Sequence, residues 1–294
     1  MVMAETAEGV RLVVLSEPDP VAHAIAGRWG TAPSTGHLLD GVPIRDLGAG
    51  LLAVRRPGLH LQDDDFDLRL PTALRQRRPT LVFPSVHRSE SGIRCFTVHP
   101  LGNPGPRTDL GGRPRTFVPT DPRAMTAVLR TLATDAGAVG LSATFEATHH
   151  GPHLGVPAMF VEVAVPPGAT PLESEIELLE RAVREATPES ADRVALAVGG
   201  GHYAPRFTDL ARERRWAFGH ILSRHALGEL RGETARGAWE ATPGATGILS
   251  SRAQDREHPA LVGLGPMLRE TDAPLRGQES RLGVNGSTLP SSGT

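Results

Sequence analysis

The chain has 294 residues and a formal net charge of −2, so it is long enough to bury a sizeable core and carries no global positive field for nucleic acid. All 31 basic residues are arginine, which excludes mechanisms that need a Schiff-base lysine or a P-loop lysine. The single cysteine cannot form an internal disulfide, the N-terminal residues lack the basic and apolar regions of a signal peptide, and no apolar run approaches about 20 residues. We therefore expect a cytoplasmic protein without a membrane segment.

The first half of the chain predicts a β–α unit followed by two more strands. Residues 11–15 (RLVVL) are apolar and β-branched, and Asp19, followed by proline, then supplies the N-cap of a helix. Residues 80–84 (TLVFP) and 93–98 (IRCFTV) have the composition of strands. The second of these strands would bury Cys95 as a packing residue rather than present it as a nucleophile.

The second half of the chain alternates helices with strands. Helices are predicted at residues 124–136, 170–186 and 208–216, the first after the N-cap Asp121 and the second at a TPLE capping box, and strands at residues 139–147, 157–164, 193–198 and 217–222. This order predicts an α/β layered fold with a mixed sheet and flanking helices. We expect one domain over residues 10–270. Residues 271–294 are polar, rich in glycine and serine and without aromatics, which predicts a disordered C-terminal tail.

Residues 148–153 (THHGPH) concentrate metal-capable side chains where one predicted strand ends. They contain His149, His150 and His153, and Gly151 with the proline after it favours a turn towards the next strand. Neighbouring residues of a strand point to opposite faces of a sheet. His149 and His150 can therefore share one ion only where the chain is irregular.

A second strand end, residues 198–206 (VGGGHYAPR), carries His202 and Tyr203 behind three glycines. The glycines are too closely spaced for a dinucleotide fingerprint, but Gly200 and Gly201 allow backbone N–H groups to approach a phosphate or an oxyanion. A tight turn after a strand would explain the same glycines. Two histidine-bearing strand ends predict one shared pocket.

A hydrolytic metal site needs imidazoles or carboxylates that converge on one ion and leave a position open for water. The candidate side chains are His87, Glu90, His99, Glu146, His149, His150, His153, Glu162, His202 and His220. The chain has neither an HExxH motif nor paired CxxC motifs, so hydrogen-bonded histidines that line a polar cleft remain an open alternative. The lack of a GxSxG elbow disfavours a serine hydrolase.

Seven blocks, in order along residues 13–222, resemble the archaeal and plant-type D-aminoacyl-tRNA deacylase family. They are VVLSEPDPVA from Val13, LVFPSVHRSESG from Leu81, FTVHPLGN from Phe96, ATHHGP from Ala147, MFVEV from Met159, VGGGHYAPRFTDLA from Val198 and FGHIL from Phe218. The resemblance implies a fold akin to bacterial peptidyl-tRNA hydrolase, zinc as cofactor, and hydrolysis of the ester between a D-amino acid and the 3′ ribose of tRNA. This chain departs from the family pattern at Arg11, where lysine is usual, and at residues 107–116, which have no evident counterpart.

The chemistry of the residues and the resemblance together predict the site. As metal ligands we expect His87, His99, His149, His150 and His202, and as catalytic groups His150, Glu162 and the backbone of Gly200 and Gly201. As substrate-binding residues we expect Arg88, Glu90, Asn103, Tyr203 and Arg206, with the arginines on phosphates and the tyrosine stacked on the terminal adenine. No protein partner is indicated, so we expect a monomer that binds the acceptor end of D-aminoacyl-tRNA.

Two other functions remain open from the sequence. A peptidyl-tRNA hydrolase-like enzyme, or another metal-dependent esterase, would accept an aminoacyl ester whose amino group is blocked. A non-catalytic tRNA-binding module would bind the substrate without turnover.

Overall fold

The computed structural model describes residues 9–89 and 92–277. Its strands are β1 (Arg11–Ser16), β2 (Ser34–Leu39), β3 (Val42–Asp46), β4 (Leu51–Arg56), β5 (Thr80–Arg88), β6 (Cys95–Pro100), β7 (Gly102–Asn103), β8 (Thr116–Phe117), β9 (Ala143–Phe145), β10 (Ala158–Val165), β11 (Arg193–Val198), β12 (Trp216–Leu222), β13 (Ala245–Ser250) and β14 (Met267–Leu268). Its helices are α1 (Pro20–Trp29), α2 (Thr72–Gln76), α3 (Pro122–Ala138), α4 (Glu173–Glu185), α5 (Pro205–Glu213), α6 (Arg224–Leu227) and α7 (Gly232–Glu240).

A mixed sheet with strand order β2-β3-β4-β1-β5-β10-β6-β9 forms the main layer. β10 lies inside this sheet, parallel to β5 and antiparallel to β6. Every residue of β10 is buried, which its apolar sequence explains, since a strand covered on both faces needs no alternation of polar residues. Glu162 is the one charged residue of this strand, and its burial calls for a specific partner.

A smaller parallel sheet, with strand order β12-β11-β13-β14, lies across α3 from the main sheet. The side chains of Met125, Val128, Leu129 and Leu132 on α3 are all buried, and residues 124–129 are buried without a break, so this helix is covered on more than one side. They belong to one apolar cluster that also contains residues of both sheets. The mixed sheet with flanking helices confirms the predicted fold class.

The two helix starts that the sequence marked with Asp–Pro are confirmed. The Asp19 carboxylate accepts hydrogen bonds from the backbone N–H groups of Val21 and Ala22, at 2.9 and 3.0 Å, where α1 begins. Asp121 accepts from the N–H group of Ala124 at 3.1 Å, at the start of α3. Each carboxylate satisfies donors that lack a partner in the first turn of a helix.

Three other element boundaries differ from the prediction. The strand predicted at residues 139–147 is only β9, Ala143–Phe145, because α3 and the turn after it occupy its start and the chain turns into the histidine cluster after Phe145. α4 begins at Glu173, the last residue of the TPLE sequence, rather than at its start, since the N–H group of Leu172 donates to the Glu175 carboxylate at 2.7 Å. The helix predicted at residues 208–216 is α5, which begins and ends three residues earlier, at Pro205 and Glu213.

Part of the predicted tail contacts the fold. Ala273 is fully buried in the main apolar cluster, and Arg276 lies 2.7 Å from the Glu189 carboxylate. An ion pair and a buried alanine hold residues 271–277 on the fold, although their polar composition gave no sign of it. The rest of the predicted tail, residues 278–294, lies outside the described residues.

Cys95 is buried, and burial raises the pKa of its thiol to about 11, which confirms its packing role. In the described part of the chain, no helix is both long enough and apolar enough to cross a membrane.

Candidate metal centre and substrate cavity

Glu162 lies between two histidines of the neighbouring strands. On β10 it faces Ser85 of β5 and Thr97 of β6. Its Oε2 atom lies 3.6 Å from Nδ1 of His87 and 3.4 Å from Nε2 of His99, and its Oε1 atom accepts a hydrogen bond from the Ser85 hydroxyl at 3.0 Å. The register of three adjacent strands therefore places one buried carboxylate between two imidazoles.

The chain is irregular at His149 and His150, which is the condition under which two adjacent histidines can face one site. His150 has a left-handed backbone with φ of 44°, and the two imidazole centroids are 4.4 Å apart. The Nδ1–H group of His149 donates to the carbonyl of Ala147 at 2.8 Å, and that of His150 donates to the carbonyl of Gly151 at 2.9 Å. Each backbone bond fixes the ring tautomer and leaves Nε2 as the atom with a lone pair.

Glu146 is the buried centre of a second group. Its side chain is fully buried, and neither carboxylate oxygen has a hydrogen-bond partner among the described residues. Its Oε2 atom lies 3.5 Å from Nε2 of His202 and 3.7 Å from Nε2 of His149, and its Oε1 atom lies 4.0 Å from Nε2 of His87. A buried carboxylate without a donor is costly unless a cation or a proton balances it.

Three sets of donor atoms in this cluster each lie within 4.8 Å of one another. They are His87, Glu146 and His202; His99, His149 and His150; and His99, Glu146 and Glu162. The first set includes His202, whose side chain is 46% exposed, whereas His99 of the other two is fully buried. All three sets fit a metal ion that prefers imidazole and carboxylate ligands.

Burial keeps most of these imidazoles neutral at neutral pH. It lowers the pKa of His150 to about 3 and that of His202 to about 4, and it lowers the pKa of His149 well below its ordinary value. Neighbouring histidines lower these values further. A neutral imidazole is the form that binds a metal ion.

The two carboxyl groups of the cluster, Glu146 and Glu162, have pKa values shifted in opposite directions. Burial raises the pKa of Glu146 to about 8, against the opposing attraction of His99. Burial would also raise the pKa of Glu162, but the adjacent His99 and His87 hold it below its usual range. Burial alone would lower the pKa of His99, and the Glu162 carboxylate raises it. Glu162 is therefore already balanced by histidine, whereas Glu146 is the carboxylate that a metal ion would stabilise.

A cavity of about 720 Å³ opens onto the cluster. Its polar wall includes His87, His149, His150, Glu162 and His202. At one end lie Tyr203, Arg88 and Ser89, and the Tyr203 hydroxyl is 3.0 Å from Oγ of Ser89. His60, Leu61 and Leu110 line the cavity as well. The volume suits a small organic group rather than water alone.

The structure brings together all five histidines that the sequence predicted as ligands, although their ligand role stays a prediction. Arg88 and Tyr203 line the same cavity. Gly200 and Gly201 belong to the loop before His202, and their oxyanion role also stays a prediction. The other candidate histidines lie elsewhere: His153 donates its backbone N–H to Asp64, and His220 is buried against Thr148 and the carbonyl of Val118.

Two predicted substrate-binding residues have other partners in the fold. The Asn103 amide is buried and donates to the carbonyls of Gly111 and Arg113, so it holds a loop. Arg206 forms an ion pair with Glu270 and is not part of the cavity wall. Glu90 lies outside the described residues.

Sequence reasoning gave too little weight to Glu146 and missed His60. Glu146 was one carboxylate among several candidates, and only its position after β9 shows that both of its oxygens face imidazoles. His60 comes from an irregular segment far from the histidine loops, and its ring packs 5.0 Å from that of Phe160. No local pattern around either residue distinguishes it from a surface residue.

Comparisons with known proteins show which family the chain matches. The family model for D-aminoacyl-tRNA deacylase matches residues 75–262. A relative from Methanosphaerula palustris with that name is 38% identical over 81% of this chain and 56% of its own length, and one from Thermoplasma acidophilum is 38% identical over 60% of this chain and 68% of its own. The chain thus spans between about half and two thirds of the length of these curated relatives.

A solved structure shows that the fold has been seen before. The crystal structure of a conserved protein of unknown function matches with a TM-score of 0.76 and 24% identity, over 91% of this chain and 99% of that one. This likeness concerns the fold alone. The family match covers more than half of the sequence, and on that ground this chain belongs to the D-aminoacyl-tRNA deacylase family.

Proposed function

We propose that this protein hydrolyses the ester bond between a D-amino acid and the 3′ ribose of tRNA, so that it releases the free amino acid and intact tRNA. One observation carries the proposal beyond family membership: the buried Glu146 carboxylate, whose oxygens have no hydrogen-bond partner in the described chain, faces imidazoles at the wall of a ligand-sized cavity. Such an arrangement suits a hydrolytic metal centre. A carboxylate buried in this way needs either a proton or a cation, and a bound metal ion would supply the cation.

The chemistry of the donor set supports zinc as the metal. We assign the ion to His87, Glu146 and His202, because both histidines of this set line the cavity and the buried carboxylate lies behind them. When bound there, zinc would lower the pKa of a water molecule to about 7 and polarise the ester carbonyl. His99, His149 and His150 offer a second, deeper donor set.

The residues of the chain would orient the reactants and move the proton. Glu162 lies between His87 and His99, at 3.6 and 3.4 Å, and would help to orient both rings. Nε2 of His150 carries a lone pair, because its Nδ1–H group is bonded to Gly151. We assign to His150 or Glu162 the removal of a proton from the attacking water and its transfer to the departing 3′ oxygen. The N–H groups of Gly200 and Gly201 would stabilise the oxyanion.

The acceptor end of the tRNA would enter past Tyr203 and Arg88. Tyr203 offers a ring on which the terminal adenine can stack, and Arg88 offers an exposed guanidinium for a phosphate. Discrimination between D and L esters would come from the shape of the cavity, with rejection of the L ester by steric clash rather than by a lost attraction.

The experiment that tests this function is the release of amino acid from D-tyrosyl-tRNA and L-tyrosyl-tRNA, measured side by side with and without a chelator. We expect rapid, chelator-sensitive release from the D ester alone. Release from an N-acetylated ester instead would favour the peptidyl-tRNA hydrolase-like alternative. If neither ester is hydrolysed faster than in buffer with zinc present, the deacylase proposal fails and the binding module remains, and replacement of His150 by alanine should then leave the affinity for tRNA unchanged.

A further inference from the structure

Residues 104–115, between β7 and β8, form a loop that is bonded directly to the histidine pair. The N–H group of Gly151 donates to the carbonyl of Leu110 at 3.3 Å, and the N–H group of Gly102 donates to the carbonyl of His150 at 2.8 Å. The buried Asn103 amide donates to the carbonyl of Gly111 at 2.9 Å from inside the loop. These bonds hold Leu110 beside His150 at the cavity wall.

Close backbone contact fixes the same loop against a second leucine. Gly111 has a φ of +80°, and a Cβ atom built on it would lie 1.6 Å from the carbonyl oxygen of Leu61. On the other side, a Cβ atom on Gly151 would lie 2.2 Å from the nitrogen of Gly112. Only glycine permits this approach, and the approach places Leu61 and Leu110 on one wall of the cavity.

This wall is apolar and firmly supported. Leu110 is 55% exposed, although the loop that carries it is held by hydrogen bonds at several points. Next to Leu61, the buried ring of His60 packs on Phe160 and Phe83, at centroid distances of 5.0 and 5.8 Å. Burial lowers the pKa of His60 to about 4, so its ring is neutral at neutral pH. The wall offers apolar contact to a ligand group that enters the cavity.

The cavity residues form a row from this wall to Tyr203. From Leu110 the row passes through His150 and His149, whose ring centroids are 4.4 Å apart, and then through His202, 4.7 Å from His149. The ring of Tyr203 follows at 5.4 Å from that of His202. We take an ester held beside His149 to direct one substituent towards Leu110 and the other towards Tyr203.

We propose that Leu61, Leu110 and the ring of His60 form the subsite for the side chain of the aminoacyl group, and that this subsite favours large apolar side chains over small ones. The inference rests on the proposed function, because it takes the ester to lie at the histidine row with its adenosine towards Tyr203. Apolar contact in such a subsite discriminates between substrates that differ by a few carbon atoms.

The test compares two esters in three forms of this chain. The value of kcat/KM is measured for D-phenylalanyl-tRNA and D-alanyl-tRNA with the unaltered chain, with Leu110→Asn and with Leu38→Asn. Leu38 is the matched control, because it is 54% exposed on β2 and does not line the cavity. We expect the ratio of the phenylalanyl to the alanyl value to fall by about tenfold in Leu110→Asn. It should not change in Leu38→Asn.

A binding measurement separates this inference from the proposed reaction. Calorimetric titration with the 3′-amide analogues of D-phenylalanyl-adenosine and D-alanyl-adenosine needs no turnover. We expect Leu110→Asn to weaken only the phenylalanyl analogue. The subsite proposal would be overturned, even with deacylase activity present, if Leu110→Asn changed the affinity of both analogues and the kcat/KM of both esters equally. It would also be overturned if Leu110→Asn changed none of them. If the unaltered chain hydrolyses neither ester, the proposed function fails, and the analogue titration alone decides whether the subsite exists.

Discussion

Oε2 of Glu146 lies 3.5 Å from Nε2 of His202, yet neither oxygen of this carboxylate has a hydrogen-bond partner within residues 9–89 and 92–277. Burial raises the pKa of Glu146 to about 8, because the charged form loses its hydration. A divalent cation among Glu146, His202 and His87 would restore the ionised form. Metal binding and the charge of Glu146 are therefore expected to depend on each other.

Replacement of Glu146 by glutamine tests this dependence. Glutamine keeps the shape of the side chain but removes the charge, so we expect the purified variant to lose most of its zinc and at least about 100-fold of its kcat/KM. Zinc should raise the unfolding temperature of the unaltered protein by mass action and should not raise that of the variant. Metal analysis and thermal unfolding measure both effects.

The matched control for this change is Glu177→Gln on the exposed side of α4. It makes the same chemical change at a solvated position, and it should keep the zinc content and the activity. A Glu146→Gln protein that retains zinc and full activity would contradict the assignment of Glu146 as a ligand.

The sequence was sufficient for those parts of the fold that local physics determines. Asp19 caps α1 because an aspartate before proline satisfies the free N–H groups of a first turn, and β10 was recognisable as an apolar run. The histidine cluster was also predictable in part. Histidines at the ends of predicted strands meet when these strands are neighbours in a sheet, as β5 and β6 are on either side of β10.

What the sequence could not give is the pairing of distant segments. Glu146 gains its role only because β9 pairs with β6 and the loop of His202 folds over it, contacts between residues far apart in the chain. Arg206 was expected to bind a phosphate of the tRNA because of its charge. Its side chain instead forms an ion pair with Glu270, which lies 64 residues later in the chain. Ala273 gives no signal of burial, since a single alanine in a polar segment has no periodicity.

Arg88 and Arg206 should differ in their effect on tRNA binding. Arg88 lines the cavity and is exposed, whereas Arg206 is engaged by Glu270 away from it. We expect Arg88→Ala to weaken tRNA binding and to reduce the slope of log affinity against log salt concentration by about one, as for the loss of one phosphate contact. Arg206→Ala should leave this slope unchanged. Binding titrations at several salt concentrations measure it, and equal slopes for both variants would contradict the difference in role.

His220 should make the stability of the protein fall in acid. Burial lowers the pKa of His220 to about 3, below the value of about 6.5 for an unfolded chain. As the pH falls, the unfolded chain therefore binds a proton at this histidine before the folded protein does. The contribution of His220 to the unfolding free energy is complete above about pH 6.5 and is lost as the pH falls towards 3. We expect His220→Gln to reduce the slope of the unfolding free energy against pH by about 1.4 kcal/mol per pH unit in this range.

Urea unfolding at a series of pH values measures this slope. Above pH 7 the unfolding free energies of the two proteins should change with pH in the same way. Their constant difference there gives the loss of stability that the substitution causes by itself. Identical slopes for the two proteins between pH 4 and 6 would show that folding does not lower the pKa of His220.

The close contact between Gly111 and the carbonyl of Leu61 can be tested with Gly36 as the control. Both have a φ of +80°, but a Cβ atom at Gly36 meets nothing within 4 Å, whereas one at Gly111 would lie 1.6 Å from the carbonyl oxygen of Leu61. We expect Gly36→Ala to cost about 1 kcal/mol of unfolding free energy through backbone strain alone. Gly111→Ala must in addition displace the loop, so it should raise KM for D-aminoacyl-tRNA, while Gly36→Ala leaves KM unchanged. Urea unfolding and steady-state kinetics on both variants decide this, and an equal KM in the two would mean that the loop does not shape the substrate cavity.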